Sequence, residues 1–382
     1  MQEIGIIMNG VTGRMGTNQH LIRSILALRD EGGVELPTGE RVIPNPVLVG
    51  RNERKLKALS EEHGVERWIA DPDLETVLDG DDEIYFDSQV TPRRPNALLK
   101  AIEAGKDVYC EKPLAGDFDT ALEVARKAKQ SDVKHGIVQD KLWLPGLMKL
   151  QRLIDQDYFG EILSVRVEFG YWVFTGDVQP AQRPSWNYRA EDGGGIIDDM
   201  FSHWSYVIEN LFGRVESVRC LEKTHIPRRV DENGEEYEAT ADDAAYAIME
   251  LEDDIVAQLN SSWTVRVNRD DLLEIKVDGT NGSAVAGLRD CKTQHHSNTP
   301  KPEWNPDTPN EHDFYDDWEG VPNNQEFENA FKIQWEQFIR HVVADEPFPW
   351  DFAAGARGVQ LTEASYQSSD EQCRVALDEL TI

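Results

Sequence analysis

The 382-residue chain is predicted to be an α/β protein in two parts, a doubly wound parallel sheet followed by an α+β domain with a large, open, mostly antiparallel sheet. Three observations predict this. A glycine-rich turn joins an apolar strand to a helix near the amino terminus. Strand-like and helix-like runs then alternate, and from Glu161 onward strand-like runs follow one another directly. This change of pattern divides the chain into residues 1–135 and 136–382.

Glu3-Ile4-Gly5-Ile6-Ile7-Met8 reads as a strand buried on both faces. It runs into Asn9-Gly10-Val11-Thr12-Gly13-Arg14-Met15-Gly16, and a helix follows through Leu28. Gly10, Gly13 and Gly16 let the turn be tight, let a pyrophosphate approach the backbone and let helix pack on strand, while the helix's first amides face the anion. The spacing is G-x-x-G-x-x-G, a departure from the commoner G-x-G-x-x-G. The strand before it and the helix after it set it apart from a plain connection. Thr12, Arg14 and Met15 fall inside the same turn and are read with the glycines as dinucleotide contacts. Further strands are expected at Pro46–Gly50, Ile69–Asp71, Glu83–Asp87 and Asp107–Cys110, with Glu31–Pro44 a polar insertion carrying no identifiable chemistry.

After the second long strand an acid would receive the ribose hydroxyls of NAD, and a cation would accommodate the extra phosphate of NADP. The residues there are Gly50-Arg51-Asn52, with Arg54 and Lys55 one helical turn on, so NADP is expected in preference to NAD. In the second part, strands are expected at Ile162–Phe174, Val215–Glu222, Ala244–Leu251, Ile255–Val267 and Leu272–Val277. Helical stretches close the chain at Gln325–Ala344 and Phe352–Ser369.

Two clusters carry chemistry. Lys112 lies in Tyr109-Cys110-Glu111-Lys112-Pro113, just beyond a strand's carboxyl end, where ligands of doubly wound sheets gather and where Pro113 stiffens the turn. Gly193-Gly194-Gly195-Ile196-Ile197-Asp198-Asp199-Met200-Phe201-Ser202-His203 places Asp199 and His203 four residues apart, on one face of a helix whose start the glycines set against a ligand. A lysine, an imidazole and a carboxylate suit an alcohol-to-carbonyl oxidation. One takes the hydroxyl proton, one meets the developing alkoxide and one holds the substrate, while a cofactor accepts the hydride. Weaker pocket candidates are Gln139, Lys141 and Trp143, and Trp186, Asn187, Tyr188 and Arg189.

With these residues in view, the chain resembles the glucose-fructose oxidoreductase, inositol dehydrogenase and rhizopine-catabolism (Gfo/Idh/MocA) family over most of its length. The carriers are Glu111-Lys112-Pro113, the glycine-rich segment with Asp199 and His203, and Gly279-Thr280-Asn281-Gly282-Ser283-Ala284. The resemblance implies a Rossmann domain, then an open-sheet domain used for substrate and oligomer contacts, with substrate held between that sheet and the nicotinamide. It also implies a sugar or cyclitol substrate, Lys112 touching both the nicotinamide region and the substrate hydroxyl beside Glu111, substrate roles for Asp199 and His203, and a dimer or tetramer. Where the family often has arginine in Arg-x-x-x-Pro, this chain has Lys141-Leu142-Trp143-Leu144-Pro145, so that arginine's contribution is in question.

Asp plus Glu number 71 against 39 Lys plus Arg, and the formal charge of −32 is spread along the chain, which argues against nucleic-acid or anionic-membrane partners. Such dispersed acidity suits a salt-rich, halophilic cytoplasm. No leader or apolar run of membrane length is evident, so a cytoplasmic enzyme is expected. Cys110, Cys220, Cys291 and Cys373 lack paired spacing, and no metal site is expected even at Cys291, His295 and His296, which lead toward Pro300 and Pro302. Two other readings are a catalytically silent nicotinamide-binding regulator and an imine reductase resembling dihydrodipicolinate reductase, whose glycine loop is similar. The lysine-proline turn and the acid-imidazole pair favour the sugar enzyme.

Overall fold

A computed structural model of the chain describes residues 2–268, 270–299, 305–308 and 312–382. Pro300 and Pro302 lie outside the described residues. Two compact units result, one of residues 1–140, 328–360 and 380–382, the other of residues 141–327 and 361–379. The longer helices are α1 (Gly16–Leu26, of π type, continued by Ala27–Asp30), α2 (Glu53–His63), α3 (Arg94–Glu103), α4 (Phe118–Gln130), α5 (Pro145–Asp155), α6 (Ile196–Phe212), α7 (Ala330–Ala344) and α8 (Phe352–Glu371).

In the first unit β1 (Gln2–Asn9), β2 (Val34–Glu35), β3 (Arg41–Gly50), β4 (Trp68–Ala70), β5 (Ile84–Asp87), β6 (Asp107–Cys110) and β7 (His135–Ile137) form one sheet. Its order is β2-β3-β1-β5-β6-β7 with β4 beside β3, and β2 is antiparallel while the rest are parallel. The near-continuous apolar run of β1 follows from burial on both faces. Ile4, Ile6 and Met8 pack with Leu21 and Ile25 of α1 and Trp335 of α7, while Ile7 packs into the cluster of Leu98, Val124 and Phe352.

The stretch expected as a featureless polar insertion is a hairpin. Val34 pairs with Val42, the turn is closed by Leu36 N–H on Glu40 O (2.8 Å) and Gly39 N–H on Leu36 O (2.9 Å), and the Arg41 guanidinium donates to the carbonyls of Glu31, Gly32 and Gly33 just before the first strand. β3 therefore begins five residues before the expected Pro46 and contains both Pro44 and Pro46. Leu48 donates its N–H outward to Arg67, so by the two-residue repeat Pro44 and Pro46 face the same outer side. There they fall between the stretches paired with β2 and β4, where a missing N–H breaks no ladder bond.

The second unit holds β8 (Ile162–Phe169), β9 (Val215–Lys223), β10 (Arg228–Val230), β11 (Glu236–Glu238), β12 (Ala244–Leu251), β13 (Val256–Ser262), β14 (Leu273–Gly279), β15 (Gly282–Ala286), β16 (Cys291–His295), β17 (Glu319–Gly320) and β18 (Val375–Ala376). Apart from the β10–β11 ribbon they make a sheet ordered β17-β16-β15-β14-β8-β13-β12-β9-β18, antiparallel except where β13 meets β8. One face packs on α6 through Met200, Phe201 and Trp204, while Leu221, Tyr246, Ile248 and Val256 are exposed on the strands. The strand expected to reach Phe174 stops at Phe169. Gly170 takes φ +143°, and a β-carbon there would lie 2.0 Å from Ser262 O.

Like charges crowd the surface, as in the exposed Asp73, Glu75, Asp79, Asp81 and Glu83 within one short stretch. Salt at about 1 M shortens the screening length to about 3 Å. The melting temperature is therefore expected to rise steadily from dilute buffer to molar KCl. Differential scanning calorimetry checks this, and a protein most stable in dilute buffer would show that the repulsion is not limiting.

Candidate functional site

The candidate residues fall into two sets, one in each compact unit. In the first, the carboxyl ends of β1, β5, β6 and β7 lie side by side. The bonds Ser88 N to Asn9 O (3.0 Å), Glu111 N to Asp87 O (2.9 Å) and Val138 N to Cys110 O (2.9 Å) carry the ladder past the strand ends. β1 has β3 on one side and β5 on the other, so the chain's path reverses at it, the position where open α/β sheets hold ligands.

Gly10 ends β1 at φ +78°, donating its N–H to Val49 O at 3.2 Å, and a β-carbon there would stand 2.7 Å from Gln89 N. One on Gly16 would stand 2.7 Å from Ser88 Oγ. One on Gly13 would meet Gly10 O at 3.3 Å and nothing else within 4 Å. Gly10 and Gly16 are thus packing glycines, and Gly13 leaves the backbone open to an approaching group, the division a pyrophosphate cradle requires. Thr12 lies against Gly50 at the tip of β3, with its Cγ2 3.8 Å from where a Gly50 β-carbon would be. Met15 is half-buried, and Arg14 and Arg51 are exposed. Asn52 caps α2, its Oδ1 accepting the Lys55 N–H at 3.0 Å. These residues fit a dinucleotide.

Lys112 follows β6, and the Lys112–Pro113 peptide is cis. Arg94 of α3 ties the neighbouring loops together: it donates to Pro113 O and to Gln89 O (2.7 Å), with Nε on Asp87 Oδ1 at 3.2 Å. The Glu111 carboxylate is buried, with Oε1 2.8 Å from His20 Nε2 and Oε2 accepting the Lys112 N–H at 3.1 Å. Burial pushes its pKa up, but the hydrogen bond from His20 and the nearby Lys112 and Arg94 outweigh that and hold it below the usual glutamate value. Gln139, past the end of β7, donates its N–H to Gln334 Oε1 at 2.8 Å. Its own Oε1 is buried without a hydrogen-bond partner among the described residues, an acceptor available to a ligand.

In the second unit Gly195 precedes α6 at φ +138°, and a β-carbon there would collide with Asp242 Oδ1 at 2.5 Å. Asp242 takes the first amides of α6, Ile196 N on its carbonyl at 3.0 Å and Ile197 N on its Oδ2 at 2.9 Å. These donors are therefore satisfied by the protein itself. Asp199 and His203 share a face one turn later, as the spacing predicted. Asp199 Oδ2 is 2.6 Å from Arg183 Nη1, and that guanidinium lies over the rings of Trp263 (4.9 Å) and Phe174 (5.2 Å). His203 is buried with Nδ1 2.7 Å from Tyr206 Oη, which also accepts the Lys141 N–H at 3.2 Å. The bond orients the imidazole, and in the tautomer with the proton on Nδ1 the basic nitrogen is Nε2.

Trp186 is exposed, and Arg189 lies over Tyr237 at 4.5 Å with Asp192 3.9 Å away. Asn187 and Tyr188 are buried and turned to backbone, the tyrosine donating to Phe174 O at 2.7 Å. Trp143 and Lys141 are half-buried. Cys291 is buried with its thiol pushed up to about 11, chiefly by desolvation, and His295 and His296 bond Ser297 and Asn281 O. Among the described residues no group of three His, Cys, Asp or Glu could hold a metal. His20, Ser88, Arg94, Arg183, Tyr206 and Trp335 are additions that the sequence reading missed. His20 alone had a local signal, a histidine on the first turn after the glycine loop.

Residues 147–285 match the GFO/IDH/MocA C-terminal domain. A D-xylose dehydrogenase of Paenarthrobacter nicotinovorans is 54% identical over 383 residues, 99% of this chain and 98% of that one. A levoglucosan dehydrogenase of Pseudarthrobacter phenanthrenivorans is 26% identical over 165 residues, 42% of this chain and 41% of that one. Among solved structures, a levoglucosan dehydrogenase in complex with NADH and levoglucosan superposes with TM-score 0.81 at 17% identity, over 99% of this chain and 100% of that one. An NAD-binding oxidoreductase from Klebsiella pneumoniae gives 0.79 at 18% identity, over 99% of both. Those two structural matches speak for the fold. With more than half its residues shared along almost the whole of the first relative, this chain belongs to the Gfo/Idh/MocA family.

Proposed function

We propose that this chain is a nicotinamide-dependent sugar dehydrogenase whose substrate is an aldose of the D-xylose kind. The observation that carries the reading is the near full-length identity to a D-xylose dehydrogenase. The cofactor cradle and the Lys112, Asp199 and His203 set agree with it. In this reading residues 1–135 supply the dinucleotide site, and residues 136–382 supply sugar and oligomer contacts, with Lys112, Gln139, Lys141, Trp186, Arg189, Asp199 and His203 the residues open to the sugar.

The cofactor, when bound, accepts a hydride from the sugar carbon. The chain handles the proton and the charge. His203 Nε2 removes the hydroxyl proton, with Nδ1–H held by Tyr206, and the Lys112 ammonium stabilises the developing alkoxide. Asp199, paired with Arg183, accepts hydrogen bonds from neighbouring sugar hydroxyls. The lysine-proline turn and the acid-imidazole pair favour this reading over a silent regulator or a cyclic-imine reductase. Assay of aldoses, cyclitols and cyclic imines with both cofactors is expected to select an aldose. His203→Ala and Lys112→Ala each lower kcat by about 10²–10⁴ with cofactor affinity retained. The double variant loses far less than the product of the two, because both groups serve one transition state. Near wild-type turnover in either single variant removes that residue from the mechanism.

The exposed Arg51 at the tip of β3, with Arg54 and Lys55 behind it, supports NADP over NAD. Arg51→Ala is expected to raise KM for NADP about tenfold and leave KM for NAD within about twofold, a contrast of roughly 1.4 kcal/mol. Unchanged discrimination excludes Arg51.

The chain associates as a dimer or tetramer in this reading. The exposed Leu221, Tyr246, Ile248 and Val256 of neighbouring strands β9, β12 and β13 support a second copy covering the sheet. Ile248→Asp is expected to shift sedimentation to the monomer, whereas a monomeric wild type at micromolar concentration excludes the interface. Within the described residues no helix is long and apolar enough to cross a membrane, and four free cysteines accord with a reducing, cytoplasmic setting. The dispersed acidity accords with a halophilic one.

A further inference from the structure

Four groups form a continuous hydrogen-bonded line beneath Lys112. Trp335 Nε1 donates to His20 Nδ1 at 3.0 Å, His20 Nε2 lies 2.8 Å from Glu111 Oε1, and Glu111 Oε2 accepts the Lys112 N–H at 3.1 Å. The direction of every bond follows from its first member. An indole N–H donates and never accepts, so His20 Nδ1 carries the lone pair. The ring proton is then on Nε2, where it donates to the carboxylate, which is left with Oε2 for the backbone of Lys112.

The surroundings keep this assignment. His20 and Trp335 are completely buried, and the imidazole centroid is 4.4 Å from Phe86 and 5.1 Å from Phe331. Protonating His20 would turn a second N–H against the indole N–H, and the opposite tautomer would leave both Trp335 and Glu111 without their partners. Among the described residues no other side-chain polar group hydrogen-bonds the ring.

We propose that His20, locked by Trp335 in the neutral form with its proton on Nε2, is a positioning residue for Lys112, acting through the Glu111 carboxylate. The proposal rests on the reading of Lys112 as a catalytic residue. The Glu111 bond fixes the backbone from which the lysine side chain springs, and a misplacement of about 1 Å at a reacting group costs about a hundredfold in rate. Without His20, the buried carboxylate loses the donor that keeps it anionic, and the anchor of Lys112 weakens with it.

The test compares His20→Leu, His20→Gln, Trp335→Phe and Lys112→Ala in the full chain, with the best aldose and cofactor from the substrate panel. Glutamine offers a carbonyl to Trp335 and an amide N–H to Glu111, reproducing the imidazole's polarity. His20→Leu is expected to lower kcat about tenfold or more, with cofactor affinity by fluorescence titration within about threefold, and His20→Gln to restore kcat to within about threefold of wild type. Trp335→Phe lowers kcat in the same direction while leaving Glu111 its partner side chain. Imidazole nitrogen NMR of the wild type, recorded under the assay conditions, shows the proton on Nε2 and the lone pair on Nδ1.

Wild-type kcat in His20→Leu beside an inactive Lys112→Ala overturns the positioning role and leaves the catalytic reading of Lys112 standing. An active Lys112→Ala overturns the reading itself and the proposal with it. Should His20→Leu fail to fold, the wild-type spectrum and Trp335→Phe decide. A ring protonated at Nδ1, or a Trp335→Phe protein with unaltered kcat, refutes the lock.

Discussion

Parallel pairing of β1 with β3 on one side and β5 on the other is the constraint from which the cofactor edge follows. Parallel strands cannot be joined by tight hairpins, so each connection crosses over and each strand ends at the same edge. The loops carrying Gly10, Ser88, Lys112 and Gln139 are brought to that edge by register alone, as the bonds from Ser88, Glu111 and Val138 to the preceding strand ends show. The glycine turn then has little freedom. Side chains at Gly10 or Gly16 would strike the Ser88–Gln89 loop, so the close approach of neighbouring strand ends dictates glycine at those two positions, while a β-carbon on Gly13 would meet only Gly10 O.

Buried charge organises the second unit in a comparable way. Arg229 and Asp243 are both fully buried, 2.7 Å apart, and Asp243 also accepts the N–H groups of His225 (2.7 Å) and Ile226 (2.9 Å). Replacing such a pair by apolar residues can be neutral, but removing one partner costs about 3–5 kcal/mol. The pair therefore pins local geometry more than it adds stability. Arg229 donates to Phe174 O at 3.1 Å and Tyr188 donates to the same carbonyl at 2.7 Å, which fixes the segment whose phenyl ring lies beneath Arg183. Arg183 in turn holds Asp199. The orientation of the candidate substrate carboxylate is thus set three contacts away, by an ion pair that never meets solvent.

What could be read from the sequence was whatever is local. The strand, glycine turn and helix of residues 2–30, the apolar runs of the parallel strands and the four-residue spacing of Asp199 and His203 are periodicities within one element, and the structure has them where expected. Partners far apart in sequence left no such trace. His20 meets Glu111 across 91 positions and Trp335 across 315, and neither separation is visible as a pattern. The hairpin at Val34–Glu35 was hidden because its edge strand has two residues, too few for an alternating pattern to show. Asp242 capping α6 was hidden for the same reason as His20: the glycines marked where the helix starts, but the group that satisfies its amides comes from another segment.

The lysine at position 141 illustrates how far a departure in sequence need reach. Its recorded link to the candidate base is through the main chain, the N–H donating to Tyr206 Oη at 3.2 Å. Any residue but proline makes that bond, so exchanging the side chain leaves the His203–Tyr206 contact as it was. The phenol oxygen, 2.7 Å from His203 Nδ1 and accepting the Lys141 N–H, fixes the orientation of the imidazole ring. What differs from an arginine at this position is confined to the side chain's reach and shape, a compact ammonium in place of a planar fork.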